Sequence, residues 1–209
     1  MKIEIWSDLI CPWCYIGKRR LESALAQFDG KKDVEIVWRS FELDPDASTQ
    51  LSETLVQLLS RKYGVSATQA AAMNADVSRL AAQEGLDYHL ENARPGNTLD
   101  AHRLTHFART QGRDAQMMER LMRGYFSESL AIGERSELTK IAGELGLNIG
   151  EAGAMFESDA FIAEVRADEQ RAAQLNIRGV PYFLIDGKLG ISGAQSVATF
   201  AGALTRAKT

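Results

Sequence analysis

This chain is short of several things at once. Its 209 residues include only two cysteines, three histidines and four prolines. Two cysteines cannot build the disulfide framework that staples small secreted domains, and a chain this long can bury a core without one. No apolar run approaches the roughly 20 residues that span a bilayer, which excludes a transmembrane helix. Basic charge is also scarce: 24 Lys and Arg against 28 Asp and Glu leave a formal net charge of −4. That argues against a general nucleic-acid or membrane-surface binder, which needs a positive face toward phosphates. The single basic run, Lys18-Arg19-Arg20, reads as a solvated helix face, with attraction of an anionic thiol substrate as its other use. Internal repeats and low-complexity linkers are missing. No metal, nucleotide or flavin motif appears, because the one G-x-G-like stretch, Gly143 to Gly146, lies within a helical pattern rather than after a strand. The chain opens Met1-Lys2 and enters a strand directly, with Asp8 where a signal peptide would be apolar. A cytoplasmic product is expected, in a compartment that keeps thiols reduced.

What is there is concentrated. Both thiols are spent on one motif, Cys11-Pro12-Trp13-Cys14. The segment Ile3-Glu4-Ile5-Trp6-Ser7-Asp8 before it alternates as a strand does, and Leu21, Leu25 and Phe28 after it share one face of a helix. The cysteines therefore fall at a strand-to-helix junction. Pro12 suits the first helical turn, where its missing N–H costs nothing, and the positive helix end favours a Cys11 thiolate. Two other uses compete. Cys11 and Cys14 with His102 and His106, four apart on a helix, supply zinc-ligand types, but zinc-finger pairs stand roughly 12–15 residues apart. A purely structural disulfide closing so short a loop would add little stability. Redox or thiol chemistry fits the spacing better than either.

Strand signals recur at Val34–Trp38, and Pro45 and Asp46 close that unit. From Leu51 to about Glu157 the pattern turns wholly helical. Leu51, Leu55, Leu58 and Leu59 make a stripe before Gly64, Ser66 and Gln69 form a capping box, and Asn97 or Thr98 caps a helix burying Ala101, Leu104 and Ala108. Met117, Met118 and Met122 read as core filler, and Ser136 starts a helix that Gly146 ends. A further helix over about 158–175 stops at Asn176. Then Tyr182–Ile185 and Lys188–Ile191 flank Asp186-Gly187, a strong hairpin signal, and a last helix runs from about Ala194. The order predicts an α/β fold, βαβ…αββα, from residues 1–50 and 158–209, with an all-helical domain inserted over 51–157.

Three segments resemble the DsbA-type thioredoxin-fold thiol:disulfide oxidoreductases, FrnE-like branch: Ser7-Asp8-Leu9-Ile10-Cys11-Pro12-Trp13-Cys14-Tyr15-Ile16-Gly17, Phe41-Glu42-Leu43-Asp44-Pro45, and Gly179-Val180-Pro181-Tyr182-Phe183. Asn97-Thr98 followed by Ala101-His102 adds a fourth, and the resemblance covers essentially the whole chain. It implies a thioredoxin-like fold, a cis Val180–Pro181 bond facing the cysteines, and Val180 backbone groups that meet an extended substrate. It assigns Cys11 as the exposed nucleophile, Cys14 as the buried resolving thiol and Pro181 as the third catalytic member. Pro12, Trp13, Val180, Asn97, Thr98 and His102 are the substrate-binding candidates. Asp8 is a weaker candidate for a proton relay, set against a turn or cap role. Trp13 stands where strongly oxidising relatives have histidine, so a less oxidising couple is expected.

Hydroxychromene carboxylate isomerases and kappa-class glutathione transferases share this fold and resemble the chain near Asn97. They have serine where this chain has Cys11, so the paired thiols favour disulfide exchange. The expected function is thiol–disulfide oxidoreductase or isomerase on protein or low-molecular-weight disulfides. No bound cofactor or metal is expected, and glutathione is a candidate co-substrate. Partners are limited to a thiol or disulfide substrate, with no nucleic acid and no membrane, in a monomer or homodimer. A glutathione-dependent isomerase or transferase and a non-catalytic redox-switched binding protein stand as alternatives.

Overall fold

Alternating isoleucines make β1 (Lys2–Ser7), and a proline-led start makes α1 (Pro12–Ala26). They are followed by β2 (Glu35–Ser40), then α2 (Leu55–Tyr63), α3 (Ala67–Gln83), α4 (Leu99–Arg109), α5 (Asp114–Ser127), α6 (Arg135–Glu144) and α7 (Ile149–Phe156). The chain closes with α8 (Ile162–Gln174), β3 (Tyr182–Ile185), β4 (Leu189–Ser192) and α9 (Val197–Lys208). The computed structural model describes residues 1–49 and 53–208. Leu51 of the expected stripe lies outside the described residues. The chain divides into two units, Met1–Leu43 with Arg166–Thr209, and Asp44–Val165.

The first unit is built on a four-stranded sheet in the order β2-β1-β3-β4. β1 runs parallel to β2 and antiparallel to β3, which pairs antiparallel with β4. With α1, α8 and α9 this is the thioredoxin-like order. The β3–β4 turn carries the expected Asp186-Gly187, both residues at positive φ, 49° and 69°, within a connection from Asp186 to Lys188 in which the Lys188 N–H bonds the Ile185 carbonyl at 3.0 Å. Register sorts the sheet's faces. Ile3 sits opposite Ile185 and Ile5 opposite Phe183; this face meets α9, where Phe183 and Phe200 pack edge to face at 4.7 Å. Trp6 and Leu184 lie on the other face with Ala172 of α8 and Ile177.

Glu4 shares that second face and is only 4% exposed. Alternation normally sends such a residue to water, but here Arg39 of β2 and Arg171 of α8 cover it. Arg39 donates to Glu4 Oε1 through Nε and Nη2 at 3.0 and 2.6 Å, and to Asp168 at 2.8 Å. Burial pushes the Glu4 carboxyl up, but the bonds from Arg171 and Arg39 outweigh it and hold the group below its usual range.

Among the described residues of the second unit the elements are helices, α2 to α7 and the start of α8. Its capping boxes explain two helix starts: Ser66 with Gln69, as expected, and Thr54 with Gln57, which opens α2. α6 begins one residue before the expected Ser136, and α7, capped by the Asn148 side chain, follows the Gly146 stop. Met117, Met118 and Met122 are buried with Leu121 and Phe126, as core filler should be. At the centre of this unit, buried Arg103 pairs with Asp100 at 2.5 Å and donates to the carbonyls of Met155, Ser158 and Ala160. A guanidinium, with five donors in a fixed fork, thus satisfies carbonyls left over where α7 ends.

Candidate active site

The site begins with two consecutive tight turns. The Cys11 N–H bonds to the Asp8 carbonyl at 3.2 Å, and the Cys14 N–H bonds to the Cys11 carbonyl at 3.0 Å. Cys11 is the N-cap of α1, with extended φ and ψ of −84° and 113°, and Pro12 follows as the first helical residue. Its sulfur therefore stands among the unpaired N–H groups of a helix start, with no acidic residue in the first turn to oppose an anion. Both thiols are free.

Cys14 lies one turn in, at 1% exposure. Burial is the main force that pushes its thiol well above the ordinary value, and Cys11 beside it adds to this through a hydrogen bond and charge. The Ser7 hydroxyl and the Asp8 backbone N–H hydrogen-bond to the same sulfur and pull the other way. The Asp8 carboxylate does something different: its Oδ2 accepts the Leu43 N–H at 2.8 Å, which anchors the segment after β2.

The opposite wall comes from the far end of the chain. Val180–Pro181 is cis, as the resemblance implies, and the Cys11 sulfur lies 3.6 Å from the Val180 carbonyl oxygen. Pro181 is buried and Val180 half-buried. Gly17 permits this approach. A Cβ there would stand 3.1 Å from Pro181 Cγ and 3.1 Å from Phe183 Cζ. Trp13 is 43% exposed, so its ring faces out beside the thiols.

One expectation needs correcting. Cys11 is not exposed: only 4% of it is open, because the Val180 carbonyl and its own turn close over the sulfur. A second correction concerns the basic run. Lys18 is buried and pairs with Glu22 at 2.6 Å, Arg19 bonds Glu22 at 2.8 Å and lies over the Tyr15 ring, and Arg20 donates to the Ala194 carbonyl at 2.6 Å. Lys18 and Arg19 thus pair within α1 and Arg20 ties the helix to the segment before α9, so the run is not a solvated face.

The structure brings Cys11, Pro12, Trp13, Cys14, Val180 and Pro181 together. Asn97, Thr98 and His102 belong to the helical unit. There Asn97 accepts the Leu99 N–H at 2.9 Å and donates to the Pro45 carbonyl at 3.1 Å. Asn97 thus does the side-chain capping, whereas Thr98, the N-cap by backbone, makes no cap bond through its hydroxyl. His102 is buried in the first turns of α4. Sequence reasoning gave no role to Ser7 or Gly17; a polar residue closing a buried strand was the available signal for the first. Among the described residues no group of three or more His, Cys, Asp or Glu could hold a metal ion, and no helix is long and apolar enough to cross a membrane.

Comparison with known proteins agrees with this fold. The DSBA-like thioredoxin domain family matches residues 2–205. The uncharacterized protein YwbO of Bacillus subtilis is 31% identical over 210 residues, covering 97% of this chain and 95% of its own. The crystal structure of the probable DsbA oxidoreductase SCO1869 from Streptomyces coelicolor is 42% identical, with TM-score 0.95 over 100% of this chain and 90% of that one. The cytosolic disulfide reductase DsbM of Pseudomonas aeruginosa, solved with GSH, shares the fold at 17% identity and TM-score 0.70, each chain covered in full.

Proposed function

This chain belongs to the DSBA-like thioredoxin domain family, and we propose that it is a dithiol–disulfide oxidoreductase working through Cys11 and Cys14. The observation that carries the reading is the asymmetry of the pair. Cys11 is the N-cap of α1 with its sulfur beside the Val180 carbonyl, whereas the Cys14 thiol, one turn in, is pushed up by burial and by Cys11. The two thiols thus serve in sequence. Cys11 attacks one sulfur of a substrate disulfide; a bond forms between them and the other substrate sulfur leaves as thiolate. Cys14 then loses its proton and attacks the Cys11 sulfur, closing the Cys11–Cys14 disulfide and releasing the second substrate thiol. The substrate gains two electrons and the dithiol loses two.

Several features support the choice of substrate. The Val180 carbonyl borders the Cys11 sulfur and suits an extended peptide backbone laid across the site, with the Trp13 ring as an apolar contact. The structural relative solved with GSH makes glutathione the first low-molecular-weight thiol to try as co-substrate. That relative is described as cytosolic, and a reducing compartment suits a resting dithiol.

The test is trapping. Cys11→Ser abolishes insulin reduction, whereas Cys14→Ser accumulates a mixed disulfide with oxidised glutathione or a disulfide peptide, identified by intact mass. Trapping through Cys14 in the Cys11→Ser protein, or full activity in Cys11→Ser, refutes the assignment.

A further inference from the structure

We propose that Arg178 makes the Cys11 site selective for acidic disulfides, those that carry a carboxylate beside the reacting sulfur. The inference rests on the dithiol reading above and adds a class of substrate to it.

Strand direction gathers several segments at one end of the sheet. β1 and β2 are parallel and end in register at Ser7 and Ser40, whereas β3 runs the other way and starts at Tyr182, opposite Trp6. The segments that follow β1 and β2, and the one that leads into β3, therefore share the end that carries Cys11. Among the described residues of this unit, the large hydrophobic side chains left exposed are Trp13, Leu43 and Leu175. All three lie on those segments, and apolar surface beside a reactive sulfur suits a partner laid across it.

The carboxylates of this unit near that end are spent. The first turn of α1 holds none, the Asp8 carboxylate accepts the Leu43 N–H, Glu42 and Glu169 pair with Arg166, and Asp168 pairs with Arg39. Arg178 is exposed, and no carboxylate among the described residues pairs with it. It is also close to the reacting sulfur. Arg178 stands two residues before Val180, so their Cα atoms are at most about 7.6 Å apart, and the Val180 carbonyl oxygen lies 3.6 Å from the Cys11 sulfur. Gly179 keeps the space between them open, since a Cβ there would meet nothing within 4 Å. An arginine side chain spans such a gap, and its planar guanidinium takes a carboxylate through two parallel N–H bonds. Lys18, Arg19 and Arg20 of α1 are engaged with Glu22 and the Ala194 carbonyl, so attraction of an anionic substrate falls to Arg178. The acidic disulfide is held with one sulfur at Cys11. The Cys11 thiolate bonds to that sulfur, and the other substrate sulfur leaves as a thiolate.

Three small disulfides test this: 3,3′-dithiodipropionate, which is negative, bis(2-hydroxyethyl) disulfide, which is neutral, and cystamine, which is positive. In the Cys14→Ser protein only the first step occurs, and acid quench with intact mass reads the mixed disulfide. The intrinsic reactivity of each disulfide cancels when variants are compared. At about 0.01 M salt, where the Debye length is roughly 30 Å, Arg178→Gln lowers the rate with the anion, relative to the neutral disulfide, about threefold. That is the factor for a unit charge roughly 7 Å away in water. Arg178→Glu lowers it about tenfold by the same rule and favours cystamine, while Arg178→Lys keeps the wild-type order. These differences shrink at about 1 M salt, where the Debye length is roughly 3 Å.

A peptide disulfide with Asp or Asn beside its cysteine finds the source of the carboxylate. An Asp preference that Arg178→Gln removes assigns it to a polypeptide; no such preference, with the small anion still favoured, assigns it to a small acid. Rates that neither Arg178→Gln nor Arg178→Glu moves overturn the proposal. So does a shift that survives high salt, which reports packing instead of charge. Failure of the oxidoreductase reading shows separately, as absence of any mixed disulfide with the neutral compound when Arg178 is in place, and this inference then falls with it.

Discussion

Glu4→Gln tests whether the sheet that presents the cysteines is held by a buried charge. The Glu4 carboxylate takes two N–H groups of Arg39, at 3.0 and 2.6 Å, and two of Arg171, at 3.1 and 2.8 Å. Removing one partner of a buried ion pair costs about 3–5 kcal/mol when the other is left stranded. Here the loss is smaller. Arg39 keeps Asp168 at 2.8 Å, and the Arg171 side chain is 42% exposed, so water replaces part of what it loses. Glutamine also preserves shape and one acceptor. What is lost is the charge on the bonds to Arg39, about 2 kcal/mol for a hydrogen-bonded charged pair. For a chain of this length that lowers Tm by about 4–8 °C.

The sign with pH follows from the native carboxyl, which is held below its ordinary 4.5. The unfolded chain takes up the proton first as pH falls, so the contribution of Glu4 is full above that ordinary value and disappears as pH drops through the native one. Thermal melts of wild type and Glu4→Gln, followed by tryptophan fluorescence, should differ by this amount near neutral pH and converge in acid, once the native carboxyl has taken up its proton. A gap under about 0.5 kcal/mol at neutral pH, or one that persists in acid, refutes the reasoning, since an uncharged carboxyl cannot stabilise through charge.

Two further outcomes are expected. Gly17→Ala places a methyl 3.1 Å from both Pro181 and Phe183; forcing α1 off β3 costs about 1–3 kcal/mol and slows mixed-disulfide formation, and an unchanged Tm with unchanged exchange contradicts the close approach. The reduced protein loses stability as pH rises past 9.0, the ordinary value that native Cys14 exceeds, because the unfolded thiol ionises while the native one keeps its proton. Cys14→Ala should remove that alkaline slope in denaturant titrations, and a slope that survives the substitution assigns it to another group.

Local signals made most of the fold legible. Ser66 with Gln69, the Asp186-Gly187 turn and the isoleucine alternation of β1 each state their structure within a few residues, and Cys11-Pro12-Trp13-Cys14 states its helix start in four. What stayed hidden depends on partners far along the chain. Glu4 reads as the polar half of an alternation, and nothing near it announces Arg39 or Arg171, which lie 35 and 167 residues away. Arg103 reads as one more helical cation until Met155, Ser158 and Ala160 bring it their carbonyls. The basic run misled for the same reason: Arg20 spends its charge on the carbonyl of Ala194, a contact that only the packing of the chain's two ends creates.

Asn97 shows how a residue type can fit two roles equally well until its atoms are counted. A short amide at a helix start suits a ligand carboxylate, since free N–H groups collect there, and it suits a cap for the same reason. The amide has two donors and one oxygen with which to do either. Here the oxygen accepts the Leu99 N–H, one donor goes to the Pro45 carbonyl, and the Asn97 backbone N–H goes to Ser48. Among the described residues one amide hydrogen is left over. Asn97 is therefore first a clasp between the start of α4 and the segment from Pro45 to Ser48, and any hold it has on a thiol substrate uses what that clasp leaves.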